Sequence, residues 1–142
     1  MQVRELMNPN VVTVEPASSA ALAARLLSRN NIGALPVCSA RGELRGVVTD
    51  RDIVLRCVAA EEDPAQTQVK DIMSRRPVSA SPDMDCLDAS RLMAQHQVRR
   101  LPVVERGKVV GMVSLGDLAK CPSFDMEAAQ TLGEISENII HR

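Results

Sequence analysis

The apolar positions near the start of the chain predict a short strand followed by an amphipathic helix. The β-branched run VVTV at 11–14 is typical of a strand. In SSAALAARLLSRNN, at 18–31, apolar side chains recur at helical spacing. Ser18 or Ser19 suits the N-cap of this helix, and Asn30–Asn31 suits its end.

The following residues predict a β-hairpin that leads into a second helix. GALPVCS (33–39) and LRGVVT (44–49) are strand-like runs, separated by a turn at Gly42. Pro36 indicates an edge position or a strand start, because proline donates no ladder hydrogen bond. The helix is expected over DRDIVLRCVAA (50–60), which completes the order β-α-β-β-α. The apolar residues expected on one face of this helix are Ile53, Val54, Cys57 and Val58.

This pattern of elements occurs twice in the chain. The offset between the copies is 66 residues and falls to 65 after a turn that is one residue shorter. Several matched segments in the same order indicate an internal duplication. The matched segments are VRELM (3–7) with VKDIM (69–73), ALPV (34–37) with RLPV (100–103), and GVVTDRD (46–52) with GMVSLGD (111–117).

The duplication predicts the domain organisation. We expect repeat 1 at 1–60, a polar linker at 61–68, repeat 2 at 69–121 and an amphipathic C-terminal helix at 122–142. The apolar stripe of that helix consists of Ala128, Leu132, Ile135 and Ile139. The stripe is expected to dock either on the body of the protein or on a second subunit.

A single repeat of about 55 residues is too small to cover both faces of its sheet well, and small domains are marginal alone. Two copies can bury their sheets against each other. We therefore predict a mixed α/β (α+β) fold in which two tandem β-α-β-β-α repeats pack about a pseudo-two-fold axis, with a C-terminal helix added.

Composition narrows the range of partners. The 142-residue chain has a formal net charge of −1, so it lacks the basic excess typical of nucleic-acid binders. It has no Trp, no Tyr and one Phe, so it also lacks aromatic platforms for stacking bases. No apolar run approaches the roughly 18 residues of a membrane span, and the N-terminus does not resemble a signal peptide. We expect a cytoplasmic protein with neither a nucleic-acid nor a membrane partner.

The cysteines and histidines argue against metal binding and catalysis. The four cysteines are Cys38, Cys57, Cys86 and Cys121. None forms a C-x-x-C pair and none adjoins a histidine, so we interpret them as small buried hydrophobic residues. The two histidines, His96 and His141, offer little to a nucleophilic triad. With no Walker loop either, we expect a protein that is not an enzyme.

The repeated motif, GVVTDRD at 46–52 and GMVSLGD at 111–117, is called the phrase of each copy. Its residues suit two chemical roles. Thr49 and Asp52 have the spacing of a capping box, which stabilises a helix start, and Ser114 and Asp117 repeat that spacing. The same groups suit a nucleotide, because one carboxylate can accept hydrogen bonds from both ribose hydroxyls. A helix start, a hydroxyl and a cation such as Arg51 favour phosphate. The two roles are compatible, since an empty site still caps its helix.

The repeats resemble tandem CBS domains, also called a Bateman module, of the small stand-alone bacterial type. The resemblance covers about 120 residues and rests on VRELM/VKDIM, IGALPV/VRRLPV and GVVTDRD/GMVSLGD in family order. It implies a regulatory module that binds adenosine nucleotides (AMP, ADP or ATP, with NAD and S-adenosylmethionine as further candidates) in clefts between the repeats. It also implies frequent homodimers, and it implies no required cofactor.

The resemblance assigns roles to individual residues. It implies that Asp52 and Asp117 hold a ribose, and that the hydroxyl residues Thr49 and Ser114 approach a phosphate. Arg99 and Arg100 match a position that contacts phosphate in the family. The implied adenine-lining residues are Val12, Thr13, Ile32, Ala34 and Pro36 in the first copy, and Val78, Ser79, Val98 and Pro102 in the second.

The two copies are not equivalent around these motifs. The first has Arg51 in its phrase, where the second has Leu115–Gly116. The second has Arg99 where the first has Gly33. We therefore expect unequal affinities, with ligand first at Asp52.

Two functions remain open from the sequence. One is a sensing module that acts on an unknown effector protein. The other is a structural or protein-interaction dimer whose motifs serve only as helix caps.

Overall fold

The computed structural model describes residues 1–122, which divide into two compact units. The first unit comprises residues 12–77 and 107–109. The second unit comprises residues 1–11 and 78–106, and continues from Val110. The predicted C-terminal helix at 122–142 lies, apart from Pro122, outside the described residues.

The first unit contains a helix, a hairpin and a second helix in the predicted order, followed by a short helix and a short third strand. Its elements are α1 (Ala20–Asn30), β1 (Ala34–Cys38), β2 (Leu44–Thr49), α2 (Asp50–Ile53), a π-helical turn (Val54–Val58), α3 (Val69–Ile72) and β3 (Ser74–Arg75). The antiparallel β1–β2 register runs from Ala34 opposite Thr49 to Cys38 opposite Leu44, and β3 pairs with the other edge of β2.

The second unit repeats the arrangement of a helix, a hairpin and a short helix. Its elements are a 3-10 turn (Val3–Glu5), α4 (Cys86–His96), β4 (Arg100–Glu105), β5 (mainly in this unit, Lys108–Ser114) and α5 (Leu115–Leu118). Strands β4 and β5 are hydrogen-bonded neighbours. The mixed fold with two tandem repeats is therefore confirmed.

Helix α1 begins and ends where local signals predict. The hydroxyl oxygen of Ser19 accepts a hydrogen bond from the amide of Leu22 at 3.1 Å. Asn31, at the C-cap, adopts a left-handed conformation with φ of 51°, which asparagine tolerates better than most residues.

The strand predicted at 11–14 is shorter than expected. Only Val14 pairs, through a parallel bridge to Val37 in which its amide donates to the carbonyl of Pro36 at 3.1 Å. The pairing does not extend back to residues 11–13, because Pro36 has no amide hydrogen to donate to the carbonyl of Val12.

The predicted apolar face of the second helix is only half correct. Ile53 and Cys57 are buried, with 8% and 0% exposure, whereas Val54 and Val58 are 55% and 59% exposed. Each exposed valine follows a buried residue by one position, which rotates it about 100° around the helix. The buried line therefore runs through Ile53 and Cys57 alone.

Each unit completes its core with the leading segment of the other sequence repeat. Val69 and Ile72, which begin the second repeat, are buried in the core of the first unit. Val3 and Leu6, which begin the first repeat, are buried in the core of the second unit. The compact units are thus assembled across the boundaries of the sequence repeats.

The cysteines divide into two kinds. Cys38 and Cys57 are free and buried, as expected, and burial raises the pKa of the Cys38 thiol. Cys86 and Cys121 instead form a disulfide, with Cα atoms 6.6 Å apart. The interpretation of these two residues as simple hydrophobic side chains is wrong. Their separation of 35 residues left no short-range motif that could reveal the pairing.

Candidate functional site

The first phrase forms the capping box predicted for it, at the junction of β2 and α2. The hydroxyl oxygen of Thr49 accepts from the amide of Asp52 at 3.0 Å. In return, Oδ2 of Asp52 accepts from the amide of Thr49 at 2.9 Å. Asp52 is 9% exposed, which is rare for a carboxylate.

The second phrase forms the same box at the junction of β5 and α5. The hydroxyl oxygen of Ser114 accepts from the amide of Asp117 at 3.1 Å, and Oδ2 of Asp117 accepts from the amide of Ser114 at 2.9 Å. Asp117 is half-buried. In each box Oδ2 makes the capping bond, and within residues 1–122 neither Oδ1 accepts a hydrogen bond. Each carboxylate therefore keeps acceptor capacity for a further donor.

A backbone hydrogen bond fixes the start of the hairpin against each box. The carbonyl of Gly33 accepts from the amide of Asp50 at 3.0 Å. The carbonyl of Arg99 accepts from the amide of Leu115 at 2.8 Å. In the first unit, Ala34 also lies directly opposite Thr49 in the β1–β2 ladder.

The segment before each parallel bridge carries two of the predicted lining residues. Val12 and Thr13 lead into Val14, whose amide bonds the carbonyl of Pro36. Among the predicted lining residues, Val12 and Ile32 are half-buried, Pro36 is buried and Thr13 is exposed.

The second unit uses the same construction. Val78 and Ser79 lead into Ala80, whose amide donates to the carbonyl of Pro102 at 2.9 Å. Val78, Ser79 and Val98 are half-buried, and Pro102 is buried.

These residues define two candidate sites, one within each unit. The first site consists of Val12, Thr13, Ile32, Ala34, Pro36, Thr49, Arg51 and Asp52. The second site consists of Val78, Ser79, Val98, Arg99, Arg100, Pro102, Ser114 and Asp117.

The predicted phosphate-binding arginines are solvent-exposed. Arg51 is the second residue of α2, Arg100 is the first residue of β4, and Arg99 directly precedes that strand. In the described part of the chain none of the three forms an ion pair. The second site therefore has two such guanidinium groups, and the first has one.

Sequence reasoning missed a groove beside the first site. It has a volume of about 370 Å³ and lies between α1 and the start of the second helix. Its wall contains Asp50 and Ile32 but neither Thr49 nor Asp52. It is lined by Ala24, Leu27, Ser28, Asn31, Ile32, Asp50, Ile53 and Val54. No spacing in the sequence indicated this groove, because it depends on how α1 packs against the second helix.

No group of three or more His, Cys, Asp or Glu side chains within residues 1–122 could hold a metal ion. None of the helices in that range has the length and apolar character needed to cross a bilayer.

Comparison with known families decides the family of the chain. The sequence model of the CBS domain matches residues 3–58 and again residues 69–123. The chain belongs to the CBS domain family. CBS domain pairs are typically regulatory, nucleotide-binding modules.

Individual CBS proteins resemble the chain along most of its length. The CBS domain-containing protein YhcV of Bacillus subtilis is 45% identical over 139 residues, which are 98% of either protein. The crystal structure of CBSX2 in complex with AMP matches with a TM-score of 0.73 and 30% identity, over 84% of this chain and 93% of that one. A hexameric CBS-CP12 protein from cyanobacteria matches with a TM-score of 0.75 and 30% identity, over 87% of this chain and 72% of that one.

Proposed function

We propose that this CBS pair is a non-catalytic sensing module that binds adenosine nucleotides at the two candidate sites. The single observation that carries the proposal is the pair of matched carboxylates, Asp52 and Asp117. Each is fixed by a capping box through Oδ2 and retains Oδ1 as an acceptor. The AMP-bound CBSX2 structure supports this choice of ligand, because it shares the fold.

The ribose is the part of the ligand that the site suits best. Asp52 and Asp117 would each accept hydrogen bonds from the two vicinal hydroxyls, as acidic residues do in dinucleotide-binding folds. Burial of Asp52 strengthens such bonds, because little water competes for its oxygens.

The adenine ring would lie against aliphatic side chains. Val12, Ile32 and Pro36 offer an apolar surface in the first site, and Val78, Val98 and Pro102 offer one in the second. These surfaces suit a flat ring in a chain that has no Trp or Tyr to stack on it.

The phosphate would be held by the exposed cations. Arg51 serves the first site, and Arg99 with Arg100 serves the second; paired guanidinium groups suit anions because of their fixed forks of donors. Ligand binding would alter the behaviour of the module only if two states of the protein bind the ligand with different affinities. An effector protein would respond to the change from one state to the other.

The proposal is tested by identifying nucleotide in the purified protein. Because the chain has no Trp and no Tyr, it absorbs weakly at 280 nm, and bound nucleotide would dominate the spectrum near 260 nm. Acid release followed by chromatography identifies the species. If the purified protein carries no nucleotide, calorimetry with AMP, ADP, ATP, NAD and S-adenosylmethionine measures whether it binds any of them. If nothing is released and none of the five produces heat, the sensing function is wrong.

A second candidate function is protein interaction, and a specific surface favours it. Val54, Leu55 and Val58 are 50–59% exposed on the second helix of the first unit. Exposed apolar groups close together are typical of interaction surfaces. A homodimer formed through this surface would sediment as a dimer in wild type and as a monomer in Val54→Asp. Unchanged sedimentation of the variant would exclude that surface.

A further inference from the structure

A disulfide links the start of α4 to the residues that follow α5, the helix that contains Asp117 of the second site. Cys86 is the first residue of α4, and Cys121 follows the last residue of α5 by three positions. Both are buried, with 1% and 6% exposure. Asp117 lies in α5, forms the capping box with Ser114 and precedes Cys121 by four residues, so the disulfide closes the segment that positions this carboxylate.

The first unit has no counterpart of this link. Under the repeat offsets, Cys86 corresponds to Ala20 and Cys121 to Arg56. The first unit instead continues its second helix through Val58, which buries Ile53 and Cys57. Helix α5 has only four residues. The disulfide therefore supplies the anchoring that additional helix length supplies in the first unit.

We propose that Cys86–Cys121 is a reversible thiol–disulfide site, at which a dithiol reductant releases α5 from α4. The redox state of this pair then controls the order of the segment that carries Asp117. The inference does not depend on nucleotide binding.

The exchange proceeds through two thiolate displacements. A thiolate of the reductant attacks Sγ of Cys121, the more exposed residue of the pair; a mixed disulfide forms and the electron pair of the broken S–S bond leaves on Cys86. The second thiol of the reductant then displaces Cys121. The reductant ends as its own disulfide, and its two electrons and two protons pass to Cys86 and Cys121.

Cys86 is well placed to be the leaving thiolate. It is the first residue of an 11-residue helix, where backbone N–H groups stabilise negative charge. The neighbouring Asp85 carboxylate opposes this, but it accepts from the amide of Leu87 at 2.9 Å and lies 3.9 Å from the N-terminal ammonium of Met1. Its charge is therefore partly compensated.

Thiol counting tests whether the pair forms. The full chain is treated with oxidised glutathione, denatured, and alkylated before and after dithiothreitol. We expect two modified cysteines without reductant, Cys38 and Cys57, and four with it. Alkylation of all four without reductant would overturn the proposal.

Hydrogen exchange tests whether the pair controls α5. Closing a loop of this size stabilises a protein enough that reduction should accelerate exchange of amides 115–121 by about 10-fold or more. Amides 50–58 are the matched internal control and should not change. Cys121→Ser should exchange like the reduced wild type and no longer respond to dithiothreitol, whereas Cys38→Ala should still respond. Unchanged exchange at 115–121, or an equal acceleration at 50–58, would contradict a control specific to α5.

Discussion

At the scale of single residues, two glycines repeated in the sequence are explained by the methionines that meet them. A methyl group added at Gly46 would lie 2.7 Å from Sδ of Met73 and 2.6 Å from the carbonyl oxygen of Ser74. A methyl group at Gly111 would lie 2.6 Å from Sδ of Met7. The glycine of each phrase thus makes room for the leading segment that completes its unit.

Replacement of Gly111 by alanine should therefore destabilise the protein. We expect Gly111→Ala to lower the free energy of unfolding by about 1–3 kcal/mol, because the methyl group overpacks the contact with Met7. Gly116→Ala is the matched control. The added methyl group would lie 3.7 Å from its nearest neighbour, the hydroxyl oxygen of Ser114. Because alanine favours a helix over glycine, this substitution should raise the free energy of unfolding by about 0.5–1 kcal/mol. Urea denaturation measures both. Equal effects of the two substitutions would show that the close approach is not a constraint.

The buried thiol of Cys38 predicts how stability changes at alkaline pH. Because burial raises the pKa of Cys38 above its ordinary value of 9.0, the folded state keeps this proton to higher pH than the unfolded state does. The stability from the protonated thiol is complete below the unfolded pKa and is lost as pH rises through the folded pKa. Cys38→Ala should therefore show a shallower fall in the free energy of unfolding above about pH 9. An identical pH slope in wild type and variant would refute this.

At the scale of elements, the second helix of the first unit shows which features the local sequence pattern predicts and which it does not. The capping box at Thr49 and the strand before it follow from residue types at fixed spacing, and both form. The buried face depends on how the helix lies on its sheet. All four predicted residues, Ile53, Val54, Cys57 and Val58, are apolar. Their spacing could therefore not show which two face the core.

Alanine substitutions at adjacent positions test the corrected face. Ile53→Ala should cost about 2–5 kcal/mol, because it leaves a cavity in the core. Val54→Ala should change the free energy of unfolding by at most about 0.5 kcal/mol, because the side chain is 55% exposed. Chemical denaturation of both variants gives the comparison. A loss of stability in Val54→Ala as large as that in Ile53→Ala would show that Val54 faces the core, as the sequence predicts.

At the scale of the whole molecule, the duplication was predictable but the assembly of the units was not. VRELM and VKDIM have nearly the same pattern, so either segment could complete either core on sequence grounds. The structure places Val69 and Ile72 with the first repeat, and Val3 and Leu6 with the second. The Cys86–Cys121 pairing was hidden for a related reason, since contacts between residues distant in sequence leave no local spacing to recognise.

The capping box in each candidate site was predictable because its parts are local. The hydroxyl and acid of each phrase lie three residues apart, and the hairpin brings Ala34 opposite Thr49. The groove between α1 and the second helix was not predictable, because it depends on packing between elements.

Calorimetric titration of AMP into the wild type, Asp52→Ala, Asp117→Ala and the double variant tests whether these two carboxylates hold the nucleotide. Each substitution removes the ribose acceptor of one site and should cost about 1 kcal/mol of stability through its capping box, so circular dichroism first confirms folding. We predict that the wild type binds AMP, that Asp52→Ala loses the stronger binding, and that the double variant binds none. AMP binding by the folded double variant equal to that of the wild type would contradict the account.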